Sequence, residues 1–244
     1  MRKKPLGCKN YGSIPHLPNS RLGPGDHKCN PGQARLATEK LKDSSYDVIV
    51  QEKLDGSNCG ICLIDGTLYP LVRAGYPAYT SPFKMHHLFS NWVYENEERF
   101  RAVLNEGERI VGEWLAQAHG TIYDLPHEPF VVFDLIKDQQ RLPFDDFALR
   151  VQKADFVLPQ LLSRGQPCSI EKAMEVLRPY GYHGAQEEVE GAVWRIEQDK
   201  PVKKGVKKRV VSFLVKYVRP DKVDGKYLDP KNPVWNTWEE GCLV

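Results

Sequence analysis

The sequence predicts an α+β fold built on largely antiparallel sheets, and three observations support this fold class. Asp65-Gly66 separates two apolar runs that resemble strands, which is a strong two-residue hairpin signal. Apolar residues with three- and four-residue spacing follow between residues 85 and 104 and predict a helix. The later strand-like runs alternate irregularly with turns and short helices. This order lacks a regular βαβ repeat, so it favours antiparallel sheets.

The elements are assigned along the chain from these patterns. Residues 1–43 are rich in Pro, Gly, Asn and Lys, and we expect a mostly irregular arm packed on the domain. Residues 44–244 are expected to form one domain with a short C-terminal tail and no separate OB-type domain. Strands are predicted at 47–50, 60–64, 67–72, 109–115, 130–136, 192–196 and 210–218. Helices are predicted at 85–104, near 145–153 and at 170–180, with Gly107 ending the first and Ser169 capping the last.

Composition and cysteine use indicate an intracellular globular protein. The chain has 244 residues, of which 41% are hydrophobic and 27% are charged. No apolar stretch approaches the roughly 20 residues that cross a membrane, and no apolar segment follows the basic N-terminus. Scattered cysteines in such a chain are expected to be free thiols in a reducing compartment, which predicts a cytoplasmic location. The six cysteines are Cys8, Cys29, Cys59, Cys62, Cys168 and Cys242.

Two local patterns are weaker signals of function. Cys59 and Cys62 form a lone C-x-x-C inside an apolar strand-like run, without the second pair of a zinc ribbon. The net charge is only +2, but six basic residues fall between positions 200 and 209. A solvated hairpin explains this cluster most simply, and a phosphate-contacting edge is the alternative. The cluster comprises Lys200, Lys203, Lys204, Lys207, Lys208 and Arg209.

The segment from Gln51 to Asn58 carries the most informative residues. A predicted strand brings Lys53 to its end, and an Asp-Gly turn follows at once. A surface lysine beside such a turn would look the same, and K-x-D-G alone is common by chance. Further short patterns make the segment significant because they follow it in a fixed order. They are Val72-Arg73-Ala74-Gly75, Val111-Gly112-Glu113-Trp114, Phe133-Asp134, Glu190-Gly191 and Phe213-Leu214-Val215-Lys216-Tyr217.

This ordered set resembles the covalent nucleotidyltransferase superfamily of ligases and capping enzymes, from about Val48 to Lys216. Within the superfamily, Glu52-Lys53 with Gly56-Ser57-Asn58 resembles most the phage-type, nick-sealing RNA ligase 2 family. The resemblance implies a nucleotidyltransferase domain in which two mainly antiparallel sheets and flanking helices enclose an ATP cleft. The matches are Lys53-Leu54-Asp55-Gly56 for motif I, Glu113 for motif III, Phe133-Asp134 for motif IIIa, Glu190-Gly191 for motif IV and Lys216 for motif V.

The resemblance also implies a role for each matched residue. Lys53 would be the nucleophile that attacks the α-phosphate of ATP, which requires loss of its proton. Mg²⁺ and Lys216 would lower the pKa of Lys53 by their positive charge. Glu113 and Glu190 would face the nucleotide, where they would accept from ribose hydroxyls or hold Mg²⁺ or Mn²⁺, directly or through water. The remaining ATP-binding candidates are Glu52, Asn58, Arg73 and Phe133, with Phe133 stacked on adenine.

The implied activity is ATP-dependent RNA ligation in the cytoplasm of a bacterium or a phage-infected cell. A 3′-hydroxyl and a 5′-phosphate would be joined through lysyl-AMP and 5′-adenylylated RNA. The substrate would be RNA ends, in a nicked duplex or as single strands, and the oligomeric state stays open. A DNA ligase, an mRNA guanylyltransferase and a catalytically silent RNA-binding module are the alternatives.

The chain departs from the family pattern at motif V, where a second lysine is often present. Lys216 has Leu214 before it and Val218 after it, so either one lysine suffices, or Arg219 or a residue of the 203–209 cluster substitutes for the second. Histidines in the arm could contact phosphate, although loop packing explains them equally well. No function is expected for the histidines of the long helix, and the C-terminal tryptophans are expected to pack the tail on the domain. These residues are His16, His27, His86, His87, Trp235 and Trp238.

Overall fold

The computed structural model describes residues 3–203, 205–229 and 231–239. Lys204 of the basic cluster and Cys242 lie outside the described residues. The helices are α1 (Pro31–Thr38), α2 (Lys84–Glu95), α3 (Glu97–Val103), α4 (Phe144–Gln152) and α5 (Ile170–Leu177), with a 3₁₀ turn at Ala78–Thr80. None of the helices in these ranges has the length and apolar character needed to span a bilayer.

The strands form two main antiparallel sheets and one short parallel pair. The first sheet has the order β10-β9-β1-β8, and the second has the order β3-β2-β4-β6-β7. The predicted α+β fold with two antiparallel sheets is therefore confirmed. The strands are β1 (Tyr46–Lys53), β2 (Ser57–Ile64), β3 (Thr67–Val72), β4 (Glu108–Trp114), β5 (Asp124–Leu125), β6 (Phe130–Lys137), β7 (Gln140–Arg141), β8 (Leu161–Arg164), β9 (Gly191–Lys203), β10 (Val206–Val218) and β11 (Thr237–Trp238).

Each sheet has its own hydrophobic core. The second sheet packs against α2, α3 and α4 through an aromatic cluster in which Phe89, Trp114 and Phe130 are fully buried. The first sheet packs against α1 and α5 around the buried Trp194. Burial of such apolar surface is the main source of stability. The two cores hold the two sheets as the walls between which a cleft opens.

The N-terminal arm is more ordered than its composition predicts. Helix α1 begins with a capping box in which the Asn30 side chain accepts a hydrogen bond from the Gln33 backbone N–H, and the Gln33 side chain accepts one from the Asn30 backbone N–H. Residues 15–17 run along β10, where Lys216 donates its backbone N–H to Pro15 and accepts one from Leu17. The arm therefore extends the edge of the first sheet beside Lys216.

The long helix predicted at 85–104 is two helices. The Asn96 side chain donates a hydrogen bond to the Trp92 carbonyl at 2.9 Å and ends α2. Helix α3 then starts with Glu97 and Glu98, whose charges suit a helix N-terminus. The rings of Trp92 and Phe100 pack edge to face with centroids 5.7 Å apart, so the apolar faces of both helices are buried in one core. The three- and four-residue spacing of apolar residues continues past Asn96 because residues on both sides of it pack in the same core.

Strand β8 and the length of the β9–β10 hairpin were also missed by the sequence prediction. Strand β8 is short, half exposed, and pairs with β1 across an irregularity between Val50 and Gln51. Strands β9 and β10 extend to the tip of the hairpin, where the pairing joins exposed charged residues such as Lys200 and Lys208. Backbone pairing therefore continues beyond the apolar pattern that periodicity detects.

The described cysteines carry free thiols. Cys59 and Cys62 are buried in β2, where burial raises the pKa of both thiols, that of Cys62 to about 12. A high pKa disfavours the thiolate form that binds metals and attacks electrophiles. Cys59 packs in the aromatic core, as expected for a residue of a buried strand.

Candidate active site

Lys53 lies at the end of β1, directly beside the start of β9. The antiparallel register pairs Lys53 with Gly191, so the preceding Glu190 meets the lysine side chain. Lys53 Nζ donates a hydrogen bond to Glu190 Oε2 at 2.5 Å. Strand β10 pairs with β9 so that Lys216 is opposite Val193. Three sequence-predicted residues thus share one end of the first sheet.

The second sheet supplies the opposite wall of the cleft. Asn58 in β2 pairs with Glu113 in β4, and Phe133 follows on β6. Gly56 donates its backbone N–H to Glu113 Oε1 at 3.2 Å. A Cβ at position 56 would lie 2.6 Å from the Trp114 carbonyl oxygen, so the crossing between the sheets requires glycine there.

The cleft between the sheets has a volume of about 670 Å³. This is within the usual range for a small-molecule site. All eight residues named from the sequence line it, and they come from both sheets and the loops between them. They are Glu52, Lys53, Asn58, Arg73, Glu113, Phe133, Glu190 and Lys216.

The carboxylates of the cleft control the charge of Lys53. Burial by itself lowers the pKa of Lys53, but the charges of Glu190 and Glu113 outweigh it and raise the pKa above the ordinary value. Burial and the charge of Lys53 lower the pKa of Lys216. The protein's own side chains therefore do not produce the predicted depression at Lys53, because its carboxylate neighbours outweigh the effect of burial.

The chain's family follows from comparison with known proteins. A model of the RNA ligase family matches residues 46–232. The chain belongs to the RNA ligase family. No curated protein matches it.

Solved RNA ligases share the fold at low sequence identity. An apo mutant of the Naegleria gruberi RNA ligase is 13% identical, with a TM-score of 0.52, over 87% of this chain and 57% of that one. Another mutant of that ligase, with AMP and Mn, is 13% identical, with a TM-score of 0.50, over 86% and 60%. An archaeal ATP-dependent RNA ligase is 20% identical, with a TM-score of 0.45, over 70% and 42%. The chain therefore spans about half the length of these proteins.

Two buried acceptors in this RNA ligase family member lack a partner within the protein. Glu52 Oε2 accepts from the Tyr182 backbone N–H at 3.1 Å, whereas Glu52 Oε1 has no partner among the described residues. Asn58 Oδ1 is likewise buried and unpartnered in that part of the chain. Buried acceptors normally have hydrogen-bond donors. Both residues line the cleft, so a ligand with N–H or O–H donors would supply the missing hydrogen bonds to these two oxygens.

Phe133 offers an aromatic face at the cleft. It packs edge-on against Tyr11 of the arm, with ring centroids 5.2 Å apart. The adjacent Asp134 is fully buried, accepts a hydrogen bond from Tyr11 Oη at 3.1 Å and pairs with Arg141 and Arg195. Phe133 and Asp134 therefore both contact Tyr11, beside the irregularity of the β4–β6 pairing between Val111 and Gly112.

Among the described residues, none of the sequence-predicted candidates for a second motif V cation lines the cleft. Arg219 is held by Glu188, by Asp221 at 2.7 Å and by the Val189 carbonyl. Lys203, Lys207 and Lys208 lie on the exposed outer part of the β9–β10 hairpin, and Arg209 pairs with Asp199. The described part of the cluster therefore fits the simpler interpretation of a solvated hairpin.

The arm contacts the motif V lysine through an acidic residue. Lys216 Nζ lies 3.7 Å from Asp26 Oδ1. His16 is buried, with its Nε2 3.1 Å from Asp26 Oδ2 and its Nδ1 2.7 Å from Ser20 Oγ. The side chain of His16 therefore lies against Asp26 beside Lys216, and His16 also lines the cleft.

Several residues of the cleft were not singled out from the sequence for this site. His86 is buried, and its Nε2 shares a hydrogen bond with Ser57 Oγ at 2.9 Å. It lines the cleft, although no function was expected for it. The arm residues carried no recognisable motif, and contact across the fold brings them here. The residues added by the structure are Tyr11, Arg21, Asp26, His86, His119 and Arg195.

Proposed function

We propose that this protein is an ATP-dependent RNA ligase that joins a 3′-hydroxyl to a 5′-phosphate, with Lys53 as the nucleophile. The convergence of Lys53, Glu113, Glu190 and Lys216 from separate strands on one cleft carries this proposal. The unpartnered oxygens of Glu52 and Asn58 support a ligand with hydrogen-bond donors. Adenine and ribose supply such donors.

In the first step, Lys53 Nζ would form a bond to the α-phosphorus of ATP while the bond to pyrophosphate breaks. The reacting amine must be neutral, so its proton has to leave first. Glu190 Oε2 lies 2.5 Å from Nζ and is the nearest carboxylate that could take the proton. Burial raises the pKa of Glu190, which makes it a better proton acceptor than an exposed carboxylate.

The cleft also fits a divalent cation. The described residues contain no group of three or more His, Cys, Asp and Glu that would hold a metal by itself. Burial, with a contribution from the charge of Glu190, raises the pKa of Glu113 to about 7. One or two carboxylates together with substrate phosphates are the usual ligands of Mg²⁺. Bound to Glu113 and Glu190, Mg²⁺ or Mn²⁺ would neutralise phosphate charge.

Lys216, Arg73 and Phe133 would complete nucleotide and substrate binding. Lys216 would contact the ATP phosphates, and Arg73, which is exposed, would bind a phosphate of ATP or of the RNA end. Phe133 would stack on adenine. In the later steps AMP would pass from Lys53 to the RNA 5′-phosphate, and the 3′-hydroxyl would displace it. We expect this chemistry in the cytoplasm, carried by residues 44–244 with residues 1–43 as an arm.

Labelling with [α-³²P]ATP and Mg²⁺ tests the proposal. We expect a labelled protein band with the wild type, none with Lys53→Ala, and none after chelation of the metal. GTP should not replace ATP, which separates the enzyme from a guanylyltransferase. Nicked duplexes with RNA or DNA on the 3′-hydroxyl side, and single strands, identify the substrate. Equal labelling of wild type and Lys53→Ala would refute the assignment of Lys53.

A further inference from the structure

Strand β10 presents one cation and two apolar side chains to the cleft. Leu214, Lys216 and Val218 all line it, because every second side chain of a strand points to the same face. Leu214 and Val218 stand at the two positions where a second motif V lysine would be. The triphosphate of ATP carries several negative charges, and its transfer depends on neutralising them. A second cation on this wall of the cleft therefore has to come from another part of the chain.

The N-terminal arm brings Arg21 to the side of Val218. The Ser20 backbone N–H donates to the Leu17 carbonyl at 3.3 Å, and this turn leads the arm past the end of β10. The Arg21 backbone N–H then donates to the Val218 carbonyl at 3.0 Å, and Ser20 Oγ accepts the Val218 N–H at 2.9 Å. Both polar groups of the Val218 backbone are thus bonded to the arm, which fixes the backbone of Arg21 beside it.

The Arg21 side chain lines the same cleft as Lys53. Its hydrogen bond to Asp224 raises the pKa of the guanidinium, the charges of Glu190 and Asp26 add to the rise, and burial opposes it. Glu190 is also the residue that accepts a hydrogen bond from Lys53 Nζ. Because the interaction of charges falls with distance, the guanidinium lies near the carboxylate that contacts the candidate nucleophile.

Arg21 has a partner that a phosphate can replace. It pairs with Asp224, whose side chain is 57% exposed, while the side chain of Arg21 is 29% exposed. Water screens such pairs, so they contribute little to stability. A guanidinium donates two parallel hydrogen bonds to a phosphate, which makes arginine well suited to phosphate binding. A phosphate that displaced Asp224 would leave that carboxylate in water and not as a buried charge.

We infer that Arg21 is a second phosphate-binding cation of the cleft and binds the triphosphate of ATP in place of a second motif V lysine. This inference rests on the proposed function, because it names a further binding residue of the same site. Without nucleotide, Asp224 holds the guanidinium. When ATP binds, its phosphates replace Asp224, and Lys216 and Arg21 bind them together.

The two ends of the Arg21–Asp224 pair should give different results in a titration with ATP. Calorimetry with ATP and Mg²⁺ in a Lys53→Ala background measures the affinity without turnover. With Arg21→Met we expect the Kd to rise about tenfold, the loss expected for a hydrogen bond between charged groups. With Asp224→Asn we expect an equal or lower Kd, because the guanidinium loses its competitor. Arg21→Lys should lie between the background and Arg21→Met, since lysine keeps the charge but not the paired donors.

Arg35→Met is the matched control for Arg21→Met. Arg35 is an exposed arginine of the same arm and pairs with Glu39 on α1. Its loss should change neither the Kd for ATP nor the melting temperature. With Lys53 intact, the initial rate of labelling at low ATP concentration should fall in Arg21→Met and stay at the wild-type value in Arg35→Met.

Other results would contradict the inference in recognisable ways. An unchanged Kd in Arg21→Met would show that Arg21 does not bind ATP. Equal weakening by Arg21→Met and Asp224→Asn, with lowered melting temperatures, would make the pair a structural link between the arm and the domain. A wild-type protein that binds ATP but is not labelled would refute the proposed function and leave the test of Arg21 valid. A Lys53→Ala protein that binds no ATP would contradict both.

Discussion

Lys222 Nζ lies 2.8 Å from Asp55 Oδ2, two residues beyond the candidate nucleophile Lys53. The Lys222 side chain is only 3% exposed and also bonds Thr121 Oγ1. Asp55 Oδ2 accepts a further hydrogen bond from the Gly120 backbone N–H at 2.9 Å. A buried cation thus holds the turn that carries Lys53 out of the first sheet. Burial raises the pKa of Glu190, and the charges of Lys53 and Lys222 oppose this rise.

Replacing Lys222 by methionine should destabilise the protein and slow lysyl-AMP formation. Removal of one partner leaves Asp55 with an uncompensated charge, and such a change costs about 3 kcal/mol in unfolding free energy. We expect labelling by ATP to fall at least about tenfold, because a displaced turn misplaces the nucleophile. Urea unfolding and the initial labelling rate measure the two effects.

Lys226→Met is the matched control for this prediction. Lys226 pairs with Glu187 near the surface, where solvent screens the pair, so its loss should destabilise the protein much less than Lys222→Met. The double variant Asp55→Asn/Lys222→Met should regain part of the stability lost by Lys222→Met. Equal stability of the two lysine variants would contradict a buried role for Lys222.

Replacing Asp26 by asparagine should strengthen ATP binding. Asp26 lies 3.7 Å from Lys216 and competes with ATP phosphates for its charge. The amide retains an oxygen that can accept the Gly23 backbone N–H, so the local fold should persist. We expect the Kd for ATP to fall about two- to fivefold, in line with a partly exposed ion pair.

Calorimetric titration in a Lys53→Ala background measures this affinity without turnover. Asp221→Asn serves as the control, because Asp221 pairs with Arg219 outside the cleft. Unchanged or weaker binding by Asp26→Asn would show that Asp26 does not compete with the nucleotide.

Replacing Glu52 by glutamine should stabilise the protein at high pH and weaken ATP binding. Burial raises the pKa of Glu52 to about 7 from an ordinary 4.5, while the Tyr182 N–H opposes the shift. The folded state therefore binds the proton more tightly, and stability is lost as the pH rises from 4.5 through 7. At pH 8 the variant should be more stable by about 1–3 kcal/mol.

Urea unfolding at pH 8 and pH 5 measures this difference, which should shrink at the lower pH. Glu39→Gln, at an exposed position, should show no such gain. A loss of stability at pH 8 would mean that the Glu52 charge is compensated in the fold.

Replacing His86 by glutamine should make the protein less sensitive to acid. Burial lowers the pKa of His86 to about 4, with smaller contributions from His119 and His87. The unfolded chain binds this proton from about pH 6.5 downward, so the folded state loses stability as the pH falls from 6.5 to 4. This loss reaches about 1.4 kcal/mol per pH unit.

The variant should therefore lose about 1–2 kcal/mol less than the wild type between pH 7 and pH 5. Urea unfolding at both pH values measures the difference. His87→Gln, at an exposed position on the same helix, is the control. An identical pH dependence of wild type and His86→Gln would contradict burial of a neutral imidazole.

Local sequence patterns predicted the fold best where they lie on strands that pair with each other and are buried. The Asp65-Gly66 hairpin forms between β2 and β3 as predicted, since turn chemistry and strand alternation agree there. The helix at 85–104 was wrong as a single element, because its apolar spacing continues past the Asn96 cap. Helix α1 has a readable capping box, but its Pro- and Gly-rich surroundings predicted an irregular arm.

The candidate site shows the same division between near and distant contacts. The order of short motifs identified eight residues that line the cleft, although their catalytic roles remain predictions. Asp26 and Lys222 carry no motif, and they reach Lys216 and Asp55 only because the arm and the segment after β10 fold back over the cleft.

The sequence by itself determined the family, the strand–turn that presents Lys53 and the set of polar groups around it. These features follow from the local order of residues, which can be read without knowing how the chain packs. Only the tertiary structure decided the pKa values of these polar groups. The pKa of Lys53 is raised because Glu190 and Glu113 come close to it from other strands. Electrostatic energy depends on distance and burial, and both are properties of the folded chain.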